Sequence, residues 1–390
     1  MTQRIIFNAI FKEENVDVVG RCLRSVLPFI DAYSILDTGS SPEVLALIQD
    51  VFKDKPGRIQ IEPFVNFGET RTRSIRLAEE YVKDLGWWDD ECYFYLMDAD
   101  EELVIPEGWE MPIISGNLLG FIMKLGDVAY PRPNFISAKG NFRYEGKIHE
   151  MLKSDGETGL FMIPGPHVEV RQEGLRSTDP ERYAKDAETM RLAYQEDPSP
   201  RYLFYRGQAL WGAGNFEAAV ESYQAYIDAN DRPEETWYAK LRRARLLEDL
   251  KRGPEAVLGY LDAYESRPWR LETLASLSSF FRCNGAPNLA WVFSSAAKGM
   301  SYSKDLLFVE VPWYEGRMLD EHAMNCFQTH RYSECATTLK QRLEYPVESE
   351  GEKDCILKNI DTSEKLAIAT EEAEKNTKNT GMDLLGGGRV

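Results

Sequence analysis

The chain of 390 residues is longer than one ordinary domain, and with 43% hydrophobic and 12% aromatic residues it has a globular composition. Its formal net charge of -18 makes nucleic acid or an anionic membrane an unfavourable general partner. The six cysteines include no CxxC pair, which is typical of buried thiols in a reducing compartment. The sequence predicts neither a signal peptide nor a segment of membrane-spanning length, so we expect a cytoplasmic protein.

The first hundred residues alternate between two kinds of apolar pattern. Short apolar runs at 4–10, 33–36, 58–64 and 93–97 predict strands, and the segments 16–29, 43–52 and 70–85 predict helices. Such alternation predicts a parallel sheet with helices on both faces, whose ligands bind beyond the carboxyl ends of the strands. From 116 to 170, Gly and Pro interrupt the apolar stretches, which predicts irregular and antiparallel structure.

Beyond residue 179 the sequence is helical and contains an internal repeat. Small and large residues recur with the spacing of tetratricopeptide helix pairs. The first copy comprises Gly207, Leu210, Gly214, Ala219, Tyr223 and Pro233, and the second Ala244, Leu247, Ala256, Tyr260, Ala263 and Pro268. The two prolines are 35 residues apart, close to the usual period of about 34. Weaker copies follow at Phe281, Gly285, Ala290 and Ala297, and at Ala323, Tyr332 and Cys335. A non-repetitive helical bundle is the alternative.

These patterns divide the chain into three parts. We expect an α/β domain over 1–175, a helical-repeat domain over 176–345, and a charged, mobile tail over 346–390. The repeats are expected to bind a peptide or protein, or to form a homodimer, because stacked helix pairs present a concave surface.

The strand predicted at 93–97 leads directly into Asp98-Ala99-Asp100. Alternate residues of an extended segment point the same way, so both carboxylates can face one ion. Oxygen ligands of this kind suit Mn²⁺ or Mg²⁺, which keep positions free for phosphate oxygens. An acidic loop without function is the alternative for so short a motif.

Several segments together resemble a family 2 glycosyltransferase of the GT-A fold, a nucleotide-diphospho-sugar transferase with a Rossmann-like mixed sheet. They are Ile6-Phe7-Asn8, Lys12-Glu13-Glu14, Arg21-Cys22-Leu23-Arg24-Ser25, Leu36-Asp37-Thr38-Gly39-Ser40, Asn66-Phe67-Gly68-Glu69-Thr70-Arg71 and Leu96-Met97-Asp98-Ala99-Asp100-Glu101. The resemblance covers residues 4–170 and extends to the group fused to tetratricopeptide repeats, which includes peptide S-glycosyltransferases and lipopolysaccharide-core glucosyltransferases. Thr72 departs from the family, where Asn is usual.

The resemblance implies a donor site. Asn8 and Glu14 are expected at or just beyond the end of the first strand, where the nucleoside enters, and Asp37 is expected to accept hydrogen bonds from base or ribose. Arg71, at the start of a helix, is expected to meet the diphosphate, and Asp98 to contact the donor beside the metal. The alternatives are surface salt bridges for Glu14 and Arg71, and a turn-forming role for Asp37.

The resemblance also implies a base and further metal ligands. Glu150, in Gly146-Lys147-Ile148-His149-Glu150, is the first candidate for the base that deprotonates the acceptor, and Asp127 is the reserve. His149 and His167 are expected to complete the metal shell with Asp98 and Asp100 or to contact the diphosphate, with a structural role as the alternative for each.

The sequence therefore predicts an inverting, metal-dependent glycosyltransferase that uses a nucleotide-sugar, by analogy a UDP-sugar, and a peptide, protein or glycan acceptor. A transferase for lipid-linked glycans, a non-catalytic scaffold that binds partners through the repeats, and a nucleotidyltransferase are the alternatives. No GxxxxGK[ST] sequence is present, which disfavours a P-loop NTPase.

Overall fold

The computed structural model describes residues 2–12, 14–156, 159–174, 179–229 and 232–385, with side chains described as far as residue 376. The chain forms two compact units. One comprises Met1–Ala239 and Leu306–Val309, and the other Lys240–Asp305 and Glu310–Val390. The domain boundary predicted at 175 lies outside the described residues, and the first unit contains helices as well as the sheet.

The first part of the chain alternates strands and helices as predicted. Strands β1 (Gln3–Phe11), β2 (Ala32–Asp37), β3 (Gly57–Ile61) and β4 (Glu91–Leu96) are separated by helices α1 (Val16–Val26), α2 (Pro42–Val51) and α3 (Phe67–Asp84). The four strands are parallel, in the order β3-β2-β1-β4. The prediction of a parallel sheet is therefore confirmed.

Helices cover both faces of these strands. Phe7 and Phe11 of β1 are fully buried on the face covered by α1 and α2, whereas Ile6 points to the opposite face and packs with Ile75 and Ala78 of α3. Each fully buried aromatic or branched side chain contributes about 1.5–3 kcal/mol. The period-2 alternation along β1 thus fixes which helix lies on which face.

The remainder of the sheet is mixed. It contains β5 (Glu101–Val104), β6 (Leu118–Leu125), β7 (Val128–Ser137) and β10 (Phe161–Val170), while β8 (Arg143–Glu145) pairs separately with β9 (Met151–Lys153). The order continues as β4-β7-β6-β10-β5, with β7 antiparallel to both β4 and β6. Antiparallel structure after residue 116 was predicted correctly.

Ten further α-helices follow the sheet within the described part of the chain. They are α4 (Arg182–Glu196), α5 (Pro200–Gly212), α6 (Phe216–Ala229), α7 (Pro233–Asp249), α8 (Gly253–Ser266), α9 (Leu271–Cys283), α10 (Pro287–Ala297), α11 (Met318–Gln328), α12 (Tyr332–Arg342) and α13 (Glu350–Leu385).

The turns between α5 and α6, α7 and α8, α9 and α10, and α11 and α12 are built alike. Each contains one residue with positive φ, namely Gly214, Lys251, Gly285 and His330. In each turn the next residue donates its backbone N–H to a carbonyl five residues earlier: Asn215 to Leu210, Arg252 to Leu247, Ala286 to Phe281 and Arg331 to Cys326. This is the hydrogen bond of a Schellman motif. The recurrence of this turn between successive pairs of helices agrees with the predicted repeat.

The small residues of the predicted repeat lie where helices approach closely. A Cβ at Gly207 of α5 would lie 2.9 Å from the Tyr223 ring of α6, and a Cβ at Gly259 of α8 would lie 3.1 Å from that of Ala244 in α7. The small-to-large spacing in the sequence therefore reflects helix contacts.

The segment from 346 differs from the predicted mobile tail. Residues 350–385 form α13, and its Ile356 and Ile360 are buried against Ala323 and Cys335. As far as residue 376, most Glu, Lys and Asn residues of this segment are exposed, and they concealed the apolar positions in its overall composition. Among the described helices, none is both long enough and apolar enough to cross a membrane.

Candidate active site

The acidic motif Asp98-Ala99-Asp100 follows β4 directly, at the edge where the parallel strands end. Ala99 is buried, while Asp98 and Asp100 are each partly exposed. The strand thus presents the two carboxylates at the edge that the sequence predicted for ligand binding.

Arg71 joins the acidic motif to Glu150. Its Nη2 donates to Asp98 Oδ1 at 2.6 Å, and its Nε lies 2.7 Å from Glu150 Oε1. Burial opposes the positive charge on Arg71, but Asp98 and Glu150 outweigh that effect and raise the pKa of Arg71. Burial also opposes ionisation of Asp98, and here the attraction of Arg71, followed by that of Arg132, keeps the pKa of Asp98 lowered. Three side chains predicted for the site are therefore in contact.

A close backbone approach brings Glu150 to Arg71. A Cβ on Gly68, in the first turn of α3, would lie only 2.2 Å from the carbonyl oxygen of Gly146. Gly146 itself has φ of 112°, a conformation that favours glycine. The two glycines let the start of α3 meet the segment that ends at Glu150.

Thr72 fastens α3 to the same segment. Its Oγ1 accepts from the Tyr144 backbone N–H at 2.8 Å and donates to the Tyr144 carbonyl at 3.3 Å. Burial raises the pKa of Tyr144 to about 12, and the Arg71 guanidinium lies 5.7 Å from its ring centroid. Thr72 therefore joins α3 to β8, the strand that precedes Glu150.

Arg132 and Glu101 form a second ion pair beside the motif, and neither was predicted as a site residue. Arg132 donates to both Glu101 oxygens at 2.5 Å, and Arg132 Nη1 lies 4.0 Å from Asp98 Oδ2. The only signal for Arg132 is its position in a polar stretch between two prolines. That stretch belongs to β7, whose antiparallel pairing with β4 was not evident from the sequence.

Asp100 and Glu14 lie close to one another at this edge. A Cβ on Gly174 would lie 3.4 Å from both Asp100 Oδ2 and Glu14 Oε2. Burial raises the pKa of Asp100, and the neighbouring charge of Asp98 raises it further. Within the described ranges, no ion pair joins Asp100 to a lysine or arginine. A carboxylate in this electrostatic position is suited to a bound cation.

The structure places Asn8 further from the end of β1 than predicted, and it places Asp37 beside a turn. Asn8 lies within β1, three residues before its end, and is 4% exposed. Its Nδ2 donates to Ser34 O and Ser74 Oγ, so the side chain joins β1 to its neighbours, and its contact with a donor stays a prediction. Asp37 ends β2 and is buried, and it accepts the backbone N–H groups of the turn that follows. These hydrogen bonds agree with the alternative in which Asp37 stabilises the turn.

The two histidines do not complete a metal shell with the acidic motif. His149 has φ of 51° and its ring stacks on Tyr205, with centroids 4.1 Å apart. His167 lies on β10 opposite Val104, and Glu101 pairs with Val170, so His167 is roughly 10 Å further along the sheet. The Nε2 of His167 instead lies 3.7 Å from Glu169 Oε1. The register of β10 thus places His167 away from the acidic motif, which the sequence did not reveal.

Asp127 is not placed to act as a base. It lies in the turn between β6 and β7 and is exposed. Arg132 of β7 lies next to Asp98, and Asp127 is five residues before Arg132 in the chain. At the usual rise per residue of a strand, Asp127 at the hairpin tip is roughly 16 Å from Asp98. Glu150 is the better candidate.

The predicted metal ligands form only part of a shell. Among the described residues, no three His, Cys, Asp or Glu side chains at this edge bring their ligand atoms within 4.8 Å of one another. Mg²⁺ is usually held by one or two carboxylates together with substrate phosphates. Asp98 and Asp100 with a diphosphate fit that pattern, whereas His149 and His167 do not contribute to it.

A cleft of about 250 Å³ lies beside the Glu150 segment. Its lining includes Glu69, Tyr144, Gly146, Lys147, Glu196, Asp197 and Tyr202. Lys147 donates to Glu196 at 2.6 Å, and the remaining charged groups on the lining are carboxylates. Helix α4 and the start of α5 therefore form one wall, and the cleft has an acidic character.

Comparison with known proteins gives likenesses to repeat proteins. No protein-family profile matches the chain, and no curated protein matches it. The solved structures that resemble it include the C-terminal part of a tetratricopeptide-repeat protein from Cytophaga hutchinsonii, with 15% identity and a TM-score of 0.35 over 42% of this chain and 60% of that one. A tetratricopeptide-repeat protein from Parabacteroides merdae matches with 14% identity and a TM-score of 0.36, over 53% of this chain and 75% of that one. Another from Thermus thermophilus has 15% identity and a TM-score of 0.31, over 46% and 91% of the two chains.

Proposed function

We propose that this protein is a metal-dependent glycosyltransferase of the GT-A fold, which moves a sugar from a nucleotide-sugar to an acceptor nucleophile. The observation that carries the proposal is the contact of Arg71 with both Asp98 and Glu150 at the carboxyl ends of the parallel strands. A cation for phosphate, an acidic motif for metal and a carboxylate for proton transfer lie in one cluster.

Asp100, together with Asp98, would hold a Mn²⁺ or Mg²⁺ ion. The raised pKa of Asp100 supports this role, because a nearby cation would relieve the repulsion between the two carboxylates. When bound, the ion supplies positive charge that stabilises the departing nucleoside diphosphate. Glu14, which faces the same point near Gly174, lines the donor side.

Arg71 has two roles in this proposal. Its guanidinium binds donor phosphate, for which an arginine is well shaped. In the structure the same guanidinium contacts Glu150 Oε1. The oxygens of a diphosphate could take the place of Glu150 as the hydrogen-bond partner of Arg71. Binding of the nucleotide-sugar would then free Glu150 to meet the sugar acceptor, which favours binding of the nucleotide-sugar first.

Glu150 then acts on the acceptor. It takes the proton from the nucleophile as that atom bonds to the anomeric carbon and the bond from that carbon to the diphosphate oxygen breaks. Attack from the side opposite the leaving group inverts the configuration. A UDP-sugar is the expected donor, by the family resemblance alone.

The acceptor would enter through the cleft beside Glu150. Glu69 and Asp197 give the lining negative charge, and Tyr144 and Tyr202 offer aromatic surface. This chemistry favours a peptide or protein acceptor with Lys or Arg near its nucleophile over a neutral glycan. Binding of that acceptor by the helical repeats, or a homodimer formed through them, remains part of the proposal.

A thermal-shift screen of the full chain with UDP-, GDP-, CDP- and dTDP-sugars, with and without Mn²⁺, tests the proposal. Ligands that bind only the folded state raise Tm. We expect one nucleotide class to raise Tm only when Mn²⁺ is present. Asp100→Asn should lose this shift, and Glu150→Gln should keep it while losing transfer.

Asp127→Asn is the matched control, because Asp127 is an exposed carboxylate on the hairpin tip. It should keep both the shift and transfer. The proposal fails if no donor raises Tm, or if the shift is the same without metal. If a donor binds but the wild type transfers its sugar to no acceptor, as Glu150→Gln is also expected to do, the result would indicate a scaffold without catalysis.

A further inference from the structure

A second group of side chains that could bind a metal lies in the helical unit, which is the compact unit of residues 240–305 and 310–390. His322 and Cys326 are four residues apart on α11, so they share one face of the helix. Glu334 comes from the first turn of α12. His322 and Cys326 are fully buried, and 31% of the Glu334 side chain is exposed.

The three donor atoms are spaced as metal ligands. His322 Nε2 lies 3.4 Å from Cys326 Sγ and 3.0 Å from Glu334 Oε1, and all three atoms lie within 4.8 Å of one another. In a tetrahedral zinc site, Zn–N, Zn–S and Zn–O bonds of about 2.0–2.3 Å place neighbouring donors roughly 3.3–3.6 Å apart. The distance between His322 Nε2 and Glu334 Oε1 would have to increase by only a few tenths of an ångström to accommodate the ion.

The neighbours of His322 orient its ring for this role. His322 Nδ1 lies 2.8 Å from Ser294 Oγ, which also accepts from Asn325 Nδ2 at 3.1 Å. The contact on Nδ1 leaves Nε2 facing Cys326 and Glu334. Such a contact on the second ring nitrogen is usual for a histidine that binds a metal through the other one.

The position between these ligands already holds a positive charge. Lys298 Nζ lies 3.0 Å from His322 Nε2 and donates to Glu334 Oε1 at 2.6 Å. Lys298 follows the end of α10, and 32% of its side chain is exposed, so its ammonium has a short path to solvent. The pocket therefore accommodates a cation that is able to leave.

We propose that His322, Cys326 and Glu334 bind a divalent transition metal, with Zn²⁺ preferred, in place of the Lys298 ammonium and with water as the fourth ligand. A thiol, an imidazole and a carboxylate suit Zn²⁺ and not Mg²⁺. On binding, Cys326 releases its thiol proton to solvent and the thiolate bonds to the metal, while Lys298 keeps its charge and moves outward.

The test is a titration of the full chain with Co²⁺, which replaces Zn²⁺ and gives a thiolate-to-cobalt charge-transfer absorption. We expect one Co²⁺ per chain, displaced by Zn²⁺. Cys326→Ser should lose the absorption, whereas Cys283→Ser and Cys355→Ser, at two exposed cysteines, should retain it. Lys298→Met should bind about tenfold more tightly, because a competing charge is removed.

Zinc should also raise the Tm of the wild type and not that of Cys326→Ser. The proposal is overturned if the wild type shows no charge-transfer absorption, if Cys326→Ser keeps it, or if Lys298→Met binds no more tightly. The wild-type and Lys298→Met titrations decide the question even if Cys326→Ser fails to fold. None of these outcomes depends on glycosyl transfer.

Discussion

Both compact units contain buried charged side chains, but these side chains are paired differently in the two units. In the helical unit, Arg270 and Glu272 are both fully buried and form two hydrogen bonds of 2.9 and 3.1 Å with one another. At the edge of the sheet, Arg71 is shared between two carboxylates, and Asp100 next to them has a raised pKa. The helical pair is neutral within itself, whereas the sheet edge has acidic groups in excess.

This difference separates structural charge from functional charge. Arg270 also donates to Asp305, and Glu272 also accepts from Tyr314, so other protein groups bind both members of this pair. A cluster that keeps a carboxylate under repulsion is less stable by itself and gains when a cation arrives. The sheet edge therefore has the electrostatics of a binding site, and the four predictions below test the contrast.

The largest effect is expected for Glu272→Gln. The change leaves Arg270 buried with its main partner neutralised, which should lower the free energy of unfolding by about 3–5 kcal/mol. Urea denaturation measures it. Glu255→Gln, in the exposed pair with Arg252, should cost less than about 1 kcal/mol. Equal losses in the two variants would contradict the account of the helical pair.

Asp305→Asn should destabilise by about 1.5–3 kcal/mol at neutral pH, because Asp305 accepts from Arg267 at 2.7 and 2.8 Å. Burial raises the pKa of Asp305, but the bonds from Arg267 and Trp269 outweigh it and lower the net value. A lowered folded-state pKa gives stability above the unfolded value, near 3.9, that is lost as pH falls through the folded value. The difference between variant and wild type should shrink below about pH 4. Denaturation across pH checks this, with exposed Asp361→Asn as control.

Gly68→Ala should separate α3 from the Glu150 segment. The added Cβ would lie 2.2 Å from the Gly146 carbonyl oxygen, so one backbone must move. We expect a loss of about 1–3 kcal/mol in stability and of about 100-fold in transfer, since Arg71 and Glu150 shift apart. Gly156→Ala, where a Cβ meets nothing within 4 Å, is the control. Normal turnover in Gly68→Ala would show that this contact does not position the site.

Asp100→Asn should have the smallest effect on stability and in the opposite direction. Burial, and then the charge of Asp98, raise the pKa of Asp100. Removing its charge relieves both effects, so the metal-free variant should unfold at the same temperature as wild type or slightly higher. A gain below about 1 kcal/mol corresponds to at most 2–4 °C in a unit of this size. Differential scanning calorimetry in chelator measures it, and a clear loss of stability would place Asp100 with the structural pairs.

The sequence predicted the parallel half of the sheet well because local signals determine it. Apolar runs, helix caps such as Asn66 and the turn after Asp37 all act within a few residues. The acidic motif was predicted from its place after a strand, and Arg71 and Glu150 from the family resemblance. In the structure Arg71 contacts both Asp98 and Glu150.

Long-range pairing accounts for what the sequence did not reveal. Arg132 reaches Asp98 only because β7 runs antiparallel to β4, and His167 is excluded from the site by its register on β10. Asn8 was predicted to lie at the donor site, and the sequence did not reveal that its amide donates to Ser34 and Ser74 next to β1. The apolar positions of α13 are too sparse to stand out in a charged segment.

The central claim, that the sheet edge holds a divalent cation against a nucleoside diphosphate, is tested most directly by electron paramagnetic resonance of Mn²⁺. The full chain is titrated with Mn²⁺ in the absence and presence of UDP, GDP, CDP or dTDP. We predict that one diphosphate causes the wild type to bind one additional Mn²⁺ and that Asp100→Asn does not bind it. No diphosphate-dependent Mn²⁺ in the wild type, or equal binding by Asp100→Asn, would contradict the claim.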